Sequence, residues 1–307
     1  MAPPPISVVL PVFNAERFVG QSLDSISTQT FPDFEAIVID DGSTDRSLEF
    51  IRSRVGSDAR FRIVSRPNMG LVATLNEGIE LARGKYVFRM DADDVSHPER
   101  FASELRYLET HDDCVALGTR ILLADEEMLP IIEMVGSFTH EDIDAENLRG
   151  AGLAMCHPAM AMRRAALVSI GGYRRAFEWA EDLDLFLRLA EVGRLANLPE
   201  VLLTYRQHVA SVGYKRRLIQ VERASAAVSD ARRRRGLGDV GSGFSDAGRG
   251  AVPAVDPSLA AIHRKWAWLA LIGGHPRTAR KHALKALVLQ PFNRDNLRLL
   301  ACAARGH

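Results

Sequence analysis

Between residues 6 and 94, apolar runs of strand length alternate with stretches of helical period, and two of those runs end in clusters of aspartate. Ile6–Val12 (ISVVLPV) is almost wholly apolar and closes at Asn14. Phe18–Ile26 follows with helical spacing, which predicts Phe18, Leu23 and Ile26 as its buried set. Ala36–Ile39 is a second buried strand that stops abruptly at Asp40-Asp41-Gly42-Ser43. Ser43-Thr44-Asp45 then offers N-cap oxygens to a helix running through Ile51. Phe61–Val64 reads as a third strand and Leu71–Leu81 as a helix that stops at Gly84. Tyr86–Met90 is a fourth strand, running into Asp91-Ala92-Asp93-Asp94. Alternation at this pitch predicts a parallel sheet with both faces covered. In such sheets ligands bind at the edge formed by the carboxyl ends of the strands, and both aspartate clusters fall there.

Beyond residue 115 the pattern loosens. Val115–Leu123, Ala159–Met162 and Leu198–Tyr205 read as strands, and Asp182–Val192 as a helix with Leu183, Phe186, Leu187 and Leu189 on its apolar side. From residue 216 the texture becomes helical and basic, with Ile219–Arg235 ending in Arg232-Arg-Arg-Arg235. Gly236–Pro257 is rich in glycine and reads as a flexible linker, followed by helices over about 259–272, 276–289 and 294–304. The expected division is a catalytic domain over 1–214 and a helical extension over 215–307.

The 307 residues carry 39 Lys+Arg against 39 Asp+Glu, a formal net charge of zero, which gives no support to bulk capture of nucleic acid. Three scattered cysteines form neither a disulfide framework nor a close-spaced zinc motif. The opening Met1-Ala-Pro-Pro-Pro-Ile6 lacks the charged and apolar regions of a secretion signal, and no apolar stretch is long enough to span a bilayer. These features predict a cytoplasmic protein, peripheral at the inner face of the cell membrane if it works on one.

Each acidic cluster has a plain reading and a chemical one. Asp40-Asp41 is either a polar turn or an acceptor pair for a polar ring or ribose. Three carboxylates among residues 91–94 repel one another, and a divalent cation with a preference for oxygen ligands, Mg²⁺ or Mn²⁺, removes that repulsion. A solvated acidic turn is the alternative. Glu181-Asp182 at a helix start either interacts favourably with the helix dipole or holds a general base toward an acceptor hydroxyl.

Taken in order, Pro11-Val-Phe-Asn-Ala-Glu16, Ile39-Asp-Asp-Gly-Ser-Thr-Asp45, Pro67-Asn-Met-Gly-Leu71, Leu75-Asn-Glu-Gly78, Gly84-Lys-Tyr86, Arg89-Met-Asp-Ala-Asp-Asp94 and Trp179-Ala-Glu-Asp182 resemble the motif series of family 2 glycosyltransferases. The resemblance covers about residues 6–212. It implies a GT-A fold, a Rossmann-like mixed α/β sheet, and inverting transfer from a nucleotide-diphospho-sugar, UDP-linked by family bias. By the same resemblance Pro11, Val12, Glu16, Asp40 and Asp41 would line the nucleoside pocket, with Arg66 approaching the base or phosphates. Asp91 would face the ribose or a metal-bound water, and Asp93 would ligate a divalent metal, Mn²⁺ or Mg²⁺, with Asp94 supporting it. Asp182 would be the general base and Glu181 would position it or touch the acceptor. His208, in Tyr205-Arg-Gln-His208, matches a late motif that contacts metal or diphosphate, and His157-Pro158 suits an acceptor-side position. One departure stands out: many relatives carry an arginine where this chain has Leu75 before Asn76, so phosphate charge would be met by metal and by Arg66 or Arg89.

The tail invites two readings. Residues 274–291 resemble the second half of a tetratricopeptide hairpin, yet one unit makes no independent stack and is expected to pack on the catalytic domain or on a partner. Lys215, Arg216, Arg217, Arg223, Arg232–Arg235, Arg264, Lys265, Arg277, Arg280, Lys281 and Lys285 form either a solvated helix face or a contact for anionic lipid near a lipid-linked acceptor, with Trp266 and Trp268 in the interface or in a core. Two other functions are weighed against the transferase. A sugar nucleotidyltransferase would show a Gly- and Arg/Lys-rich loop after the first strand, and Pro11–Glu16 has no glycine. A non-catalytic nucleotide-sugar-binding scaffold would not need an intact Asp93 and Asp182.

Overall fold

The structure, a computed structural model, describes residues 3–134, 136–150, 154–209, 217–238 and 258–306. The first half is built as the alternation predicts: β1 (Ile6–Val12), α1 (Val19–Ser27), β2 (Phe34–Asp40), α2 (Ser47–Val55), β3 (Phe61–Ser65), α3 (Leu71–Leu81) and β4 (Tyr86–Arg89). Next come β5 (Val95–Ser96), α4 (Arg100–Thr110), β6 (Cys114–Ala124), β7 (Pro130–Met134) and α5 (His140–Leu148). They are followed by β8 (Ala161–Arg163), α6 (Arg164–Ser169), α7 (Glu181–Leu189) and β9 (Arg194–Arg206), and then by α8 (Arg217–Arg234), α9 (Leu259–Ile272), α10 (Pro276–Leu289) and α11 (Arg294–Arg305).

Among the described residues the strands form one sheet in the order β3-β2-β1-β4-β8-β6-β9-β5, with β7 beside the end of β6. β1 to β4 are mutually parallel, and β8 turns the sheet mixed by running antiparallel to both β4 and β6. Helical crossovers after β1, β2 and β3 enforce the parallel half, whereas β4 reaches β8 by a longer route through β6 and β7. β1 is buried at every position because both faces are covered. Ile6, Val8, Leu10 and Val12 face the core under α1, α2 and α4, while Val9 faces the core under α3, α6 and α7.

Gly78 of α3 lets the helix lie directly on β1, since a Cβ there would sit 2.3 Å from Val9 Cγ1. Alanine is the better helix former by about 1 kcal/mol. Overpacking against a stiff β-branched side chain costs about 1–3 kcal/mol. Gly78→Ala is therefore expected to lower the denaturant midpoint; an unchanged or higher midpoint would mean that α3 shifts away without penalty.

Three local expectations are corrected. Phe18 is only half-buried, and Val19 takes its place in the core with Leu23 and Ile26. The second helix starts at Ser47, so Ser43 and Thr44 do not cap it; they bind Asn14 instead, Ser43 Oγ accepting from the Asn14 N–H at 3.0 Å and Asn14 Oδ1 from the Thr44 N–H at 2.8 Å. Asp45 accepts from the N–H groups of Ser47 and Glu16, which joins the loops after β1 and β2. The strand expected at Ala159 begins at Ala161, because Pro158 sits in a 3₁₀ turn over His157–Ala159.

The helices beyond residue 216 lie on the sheet domain. α8 packs Ala224, Ala227, Val228 and Ala231 against Leu183 and Leu187 of α7. Gly273, at the end of α9, comes so close to β7 that a Cβ would meet the Ile131 carbonyl oxygen at 2.4 Å. Ile131 joins Trp266, Ala270, Ala283 and Leu299 in a common core, so Trp266 is a core residue while Trp268 stays partly exposed. Three residues of the basic run pair with acids of the protein itself: Arg234 faces Glu191 and Asp230, Arg235 faces Asp144 and Glu191, and Lys281 faces Asp125 and Glu127. Most of the expected linker, and the expected boundary at 214/215 with Lys215 and Arg216, lie outside the described residues. No helix among the described residues is long and apolar enough to cross a membrane.

Candidate active site

Pairing of β1 with β2 on one side and β4 on the other sets Val12 opposite Asp40 and Val9 opposite Arg89. The two aspartate clusters therefore flank the end of β1 at the carboxyl edge of the parallel half. Ser22 Oγ of α1 donates to the Asp91 carbonyl at 2.9 Å, pinning the second cluster to the same corner.

Asp91, Asp93 and Asp94 bring one carboxylate oxygen each within 4.8 Å of one another. His208 Nε2 lies 3.0 Å from Asp93 Oδ2. Asp94 is 1% exposed; its Oδ1 accepts from the Arg206 N–H at 2.9 Å, and its Oδ2 has no hydrogen-bond partner. Burial, reinforced by the charges of Asp93 and Asp91, pushes the Asp94 carboxyl well above the usual range. Asp91 is pushed up too, by burial against the opposing pull of Arg89 and then by Asp93 and Asp182. An orphaned buried oxygen, crowded carboxylates and one imidazole nitrogen are a donor set that suits Mn²⁺ or Mg²⁺. The residues present fit such an ion.

The second acidic pair opens α7 on a strained loop. Trp179 adopts φ +79°, a left-handed backbone rarely taken by a bulky residue, and its N–H donates to Glu181 Oε2 at 2.7 Å. Asp182 Oδ1 accepts from the Leu183 N–H at 2.7 Å. The helix is anchored from below by Asp184, buried between Arg174 and Arg188. Glu181 is pushed up to about 7 by burial and by the charge of Asp182. The structure thus brings Asp91, Asp93, Asp94 and His208 together, and sets Asp182 near enough for its charge to act on Asp91.

The raised Glu181 pKa couples its protonation to folding. Its carboxyl holds a proton more tightly folded than unfolded, so stability falls as pH rises from 4.5 toward 7 and stays lower above that. Glu181→Gln removes the cost. Its thermal midpoint at pH 8 is expected at or above that of the parent, with the gap closing below about pH 5. A midpoint well below the parent at pH 8 would contradict this.

The other expected donor-side residues form a separate cluster. Asp41 Oδ1 accepts from the Met69 N–H and Oδ2 from the Gly70 N–H, and Arg66 pairs with it. Arg66 also pairs with Glu77 at 2.7 Å and donates to Thr74 at 2.9 Å. Asp40 accepts from Ser65 Oγ and the Ser43 N–H. Glu16 is exposed and accepts from the Arg46 N–H, while Pro11 and Val12 are buried in β1. Arg89 is buried and paired with Asp91 at 2.6 Å, so both arginines expected to meet phosphate already face carboxylates. His157 is buried, with Nε2 at 2.6 Å from the Tyr173 hydroxyl, and burial drives its pKa well below the ordinary value. Tyr173 and Arg206 escape a reading of the sequence, because their partners come from distant segments. Only the position of Arg206 two residues before His208 hinted at the latter.

Comparison with known proteins agrees with this geometry. The family model described as "Glycosyl transferase family 2" matches residues 7–171. The chain is 33% identical to EpsE of Bacillus subtilis over 70% of its own length and 76% of that protein. It is 29% identical to a hyaluronan synthase of Pasteurella multocida over 76% of its own length, but spans only 24% of that protein. Among solved structures, Staphylococcus aureus TarS (residues 1–349) with UDP-GlcNAc superposes with a TM-score of 0.57 at 17% identity, over 100% of this chain and 93% of that one. The mannosyltransferase PcManGT of Pyrobaculum calidifontis, in complex with GDP-Man and Mn²⁺, gives 0.57 at 19% over 99% of this chain and 81% of that one. The chain belongs to glycosyltransferase family 2 and has the GT-A fold, with added C-terminal helices.

Proposed function

We propose that the protein moves a sugar from a nucleotide-diphospho-sugar, UDP-linked, to a hydroxyl of a surface polysaccharide, glycolipid or glycoprotein glycan, inverting the anomeric carbon. One observation carries the reading: a crowded carboxylate cluster fit for a cation stands close to a second acidic pair at a helix start. The named products of relatives such as the Pasteurella hyaluronan synthase support a polysaccharide, and the UDP-GlcNAc complex of TarS supports a UDP donor.

Asp93 and His208, within the cluster that Asp91 and Asp94 complete, would hold Mn²⁺ or Mg²⁺, with Asp91 facing the ribose or a metal-bound water, and the ion would neutralise charge on the departing diphosphate. Pro11, Val12, Glu16, Asp40 and Asp41 frame the nucleoside, one aspartate accepting from the base imide N–H, and Arg66 holds the Asp41 side of that pocket in place. Asp182 takes the proton of the acceptor hydroxyl as its oxygen bonds to the sugar C1. The C1–phosphate oxygen bond breaks on the opposite face, which inverts the centre. Glu181 holds Asp182 in place through the α7 start.

The test is release of nucleoside diphosphate across a panel of nucleotide sugars, with and without Mn²⁺, in the presence of short glycan acceptors. Release from a UDP-sugar with Mn²⁺ is expected. Cleavage of the nucleotide between its phosphates when pyrophosphate is added, giving nucleoside triphosphate and sugar-1-phosphate, or binding of donor with no turnover, would replace this reading with one of the two alternatives.

A further inference from the structure

The acidic turn after β4 is held from behind by Arg206, the last residue of β9. Its N–H donates to Asp94 Oδ1 at 2.9 Å and its Nε to the Asp93 carbonyl at 2.7 Å. The rest of the guanidinium donates to Gln21 Oε1 and to the Glu126 carbonyl, each at 2.5 Å. The side chain is 2% exposed and lies over the Phe18 ring, which in turn packs on His208.

Glu126 belongs to the 125–129 turn between β6 and β7, and that turn is built around Asp125. Asp125 Oδ1 accepts from the N–H groups of Glu127 and Leu129 at 2.9 and 3.0 Å. Its Oδ2 meets His282 Nε2 at 3.0 Å and Lys281 Nζ at 2.5 Å, both from α10 of the helical extension. His282 Nδ1 lies 3.0 Å from His263 Nδ1 of α9, so α9 backs the histidine of α10 that meets the carboxylate. A second tie, Gln207 N–H to the Ala124 carbonyl at 2.7 Å, keeps Arg206 in register with the same turn.

We propose that the C-terminal helices set the geometry of the cation site through Asp125, the Glu126 carbonyl and Arg206, with Asp125 and Arg206 as positioning residues. This rests on the reading of Asp91, Asp93 and Asp94 as a cation site. The physical reason is the absence of slack: every link is a hydrogen bond or ion pair between groups that are largely buried, so a shift of α10 moves the turn that Arg206 grips. Outer partners of metal ligands fix ligand orientation, and losing one typically weakens metal affinity by about 10–100-fold.

Mn²⁺ binding to the full chain, read from the electron paramagnetic resonance signal of the free ion without donor or acceptor, tests this. Temperatures well below each variant's unfolding keep stability out of the result. Arg206→Met is expected to weaken Mn²⁺ binding by about tenfold or more, and Arg206→Lys to recover part of it by restoring one donor. Lys281→Met and His282→Gln, which touch no carboxylate of the cation site, are expected to weaken it several-fold. Folded Lys281→Met and His282→Gln proteins that bind Mn²⁺ like the parent would overturn the coupling. Asp93→Ala separates the two claims. If it abolishes binding while the extension variants do not, only the coupling falls; if the parent binds no Mn²⁺, the cation reading fails and the coupling with it.

Discussion

Asp182→Asn is expected to lower kcat by about 10²–10⁴-fold, the range that a positioned general base contributes. Donor KM should change little, because the proposed role concerns the acceptor proton and not the nucleotide. The fold should also persist. Asn keeps an oxygen to accept from the Leu183 N–H, and the helix is anchored independently by Asp184 between Arg174 and Arg188. Steady-state kinetics with a thermal melt of the same preparation checks both halves. Transfer at near-parental rates would remove Asp182 from the base role.

Asp93→Ala is expected to have the second large effect, with an unusual combination of signs. Losing a cation that stabilises the departing diphosphate removes several kcal/mol of transition-state stabilisation, on the order of a 10³-fold loss of rate. Yet Asp93 is one of the charges that push Asp91 and Asp94 up, so removing it relieves repulsion among the carboxylates that remain. Its hydrogen bond with His208 is lost in exchange, a contact at partly exposed groups that is worth little. The variant should therefore melt, without added metal, no lower than the parent. A variant that loses both activity and several degrees of melting temperature would assign Asp93 a structural role.

The β1–α3 segment was legible because helical spacing is present between the strands and because buried parallel strands read as continuous apolar runs. The aspartates after Ile39 and Met90 were legible as edge clusters for the same reason. β5, two residues long, carries no periodic signal, and the mixed half of the sheet follows from pairings between β4, β8 and β6 that no local pattern encodes. The misplaced N-cap shows a tertiary override. Ser43 and Thr44 have the right chemistry to cap α2, but Asn14 from the preceding loop competes for them and wins. The pairing of Arg66 with Asp41 and Glu77, and of Arg89 with Asp91, depends on side-chain approaches that the sequence does not reveal. In the basic tail, the pairing of Arg234, Arg235 and Lys281 with acids of the sheet domain was likewise invisible to the sequence.

The central claim is that the cluster at Asp91, Asp93 and Asp94 is a cation site serving a nucleotide diphosphate. Calorimetric titration of UDP into the full chain, with and without Mn²⁺ and again with Asp93→Ala, tests it most directly. Mn²⁺ should tighten UDP binding in the parent by tenfold or more, about 1.4 kcal/mol, and should do nothing in the variant. Equal UDP affinity with and without Mn²⁺ in the parent would contradict the claim.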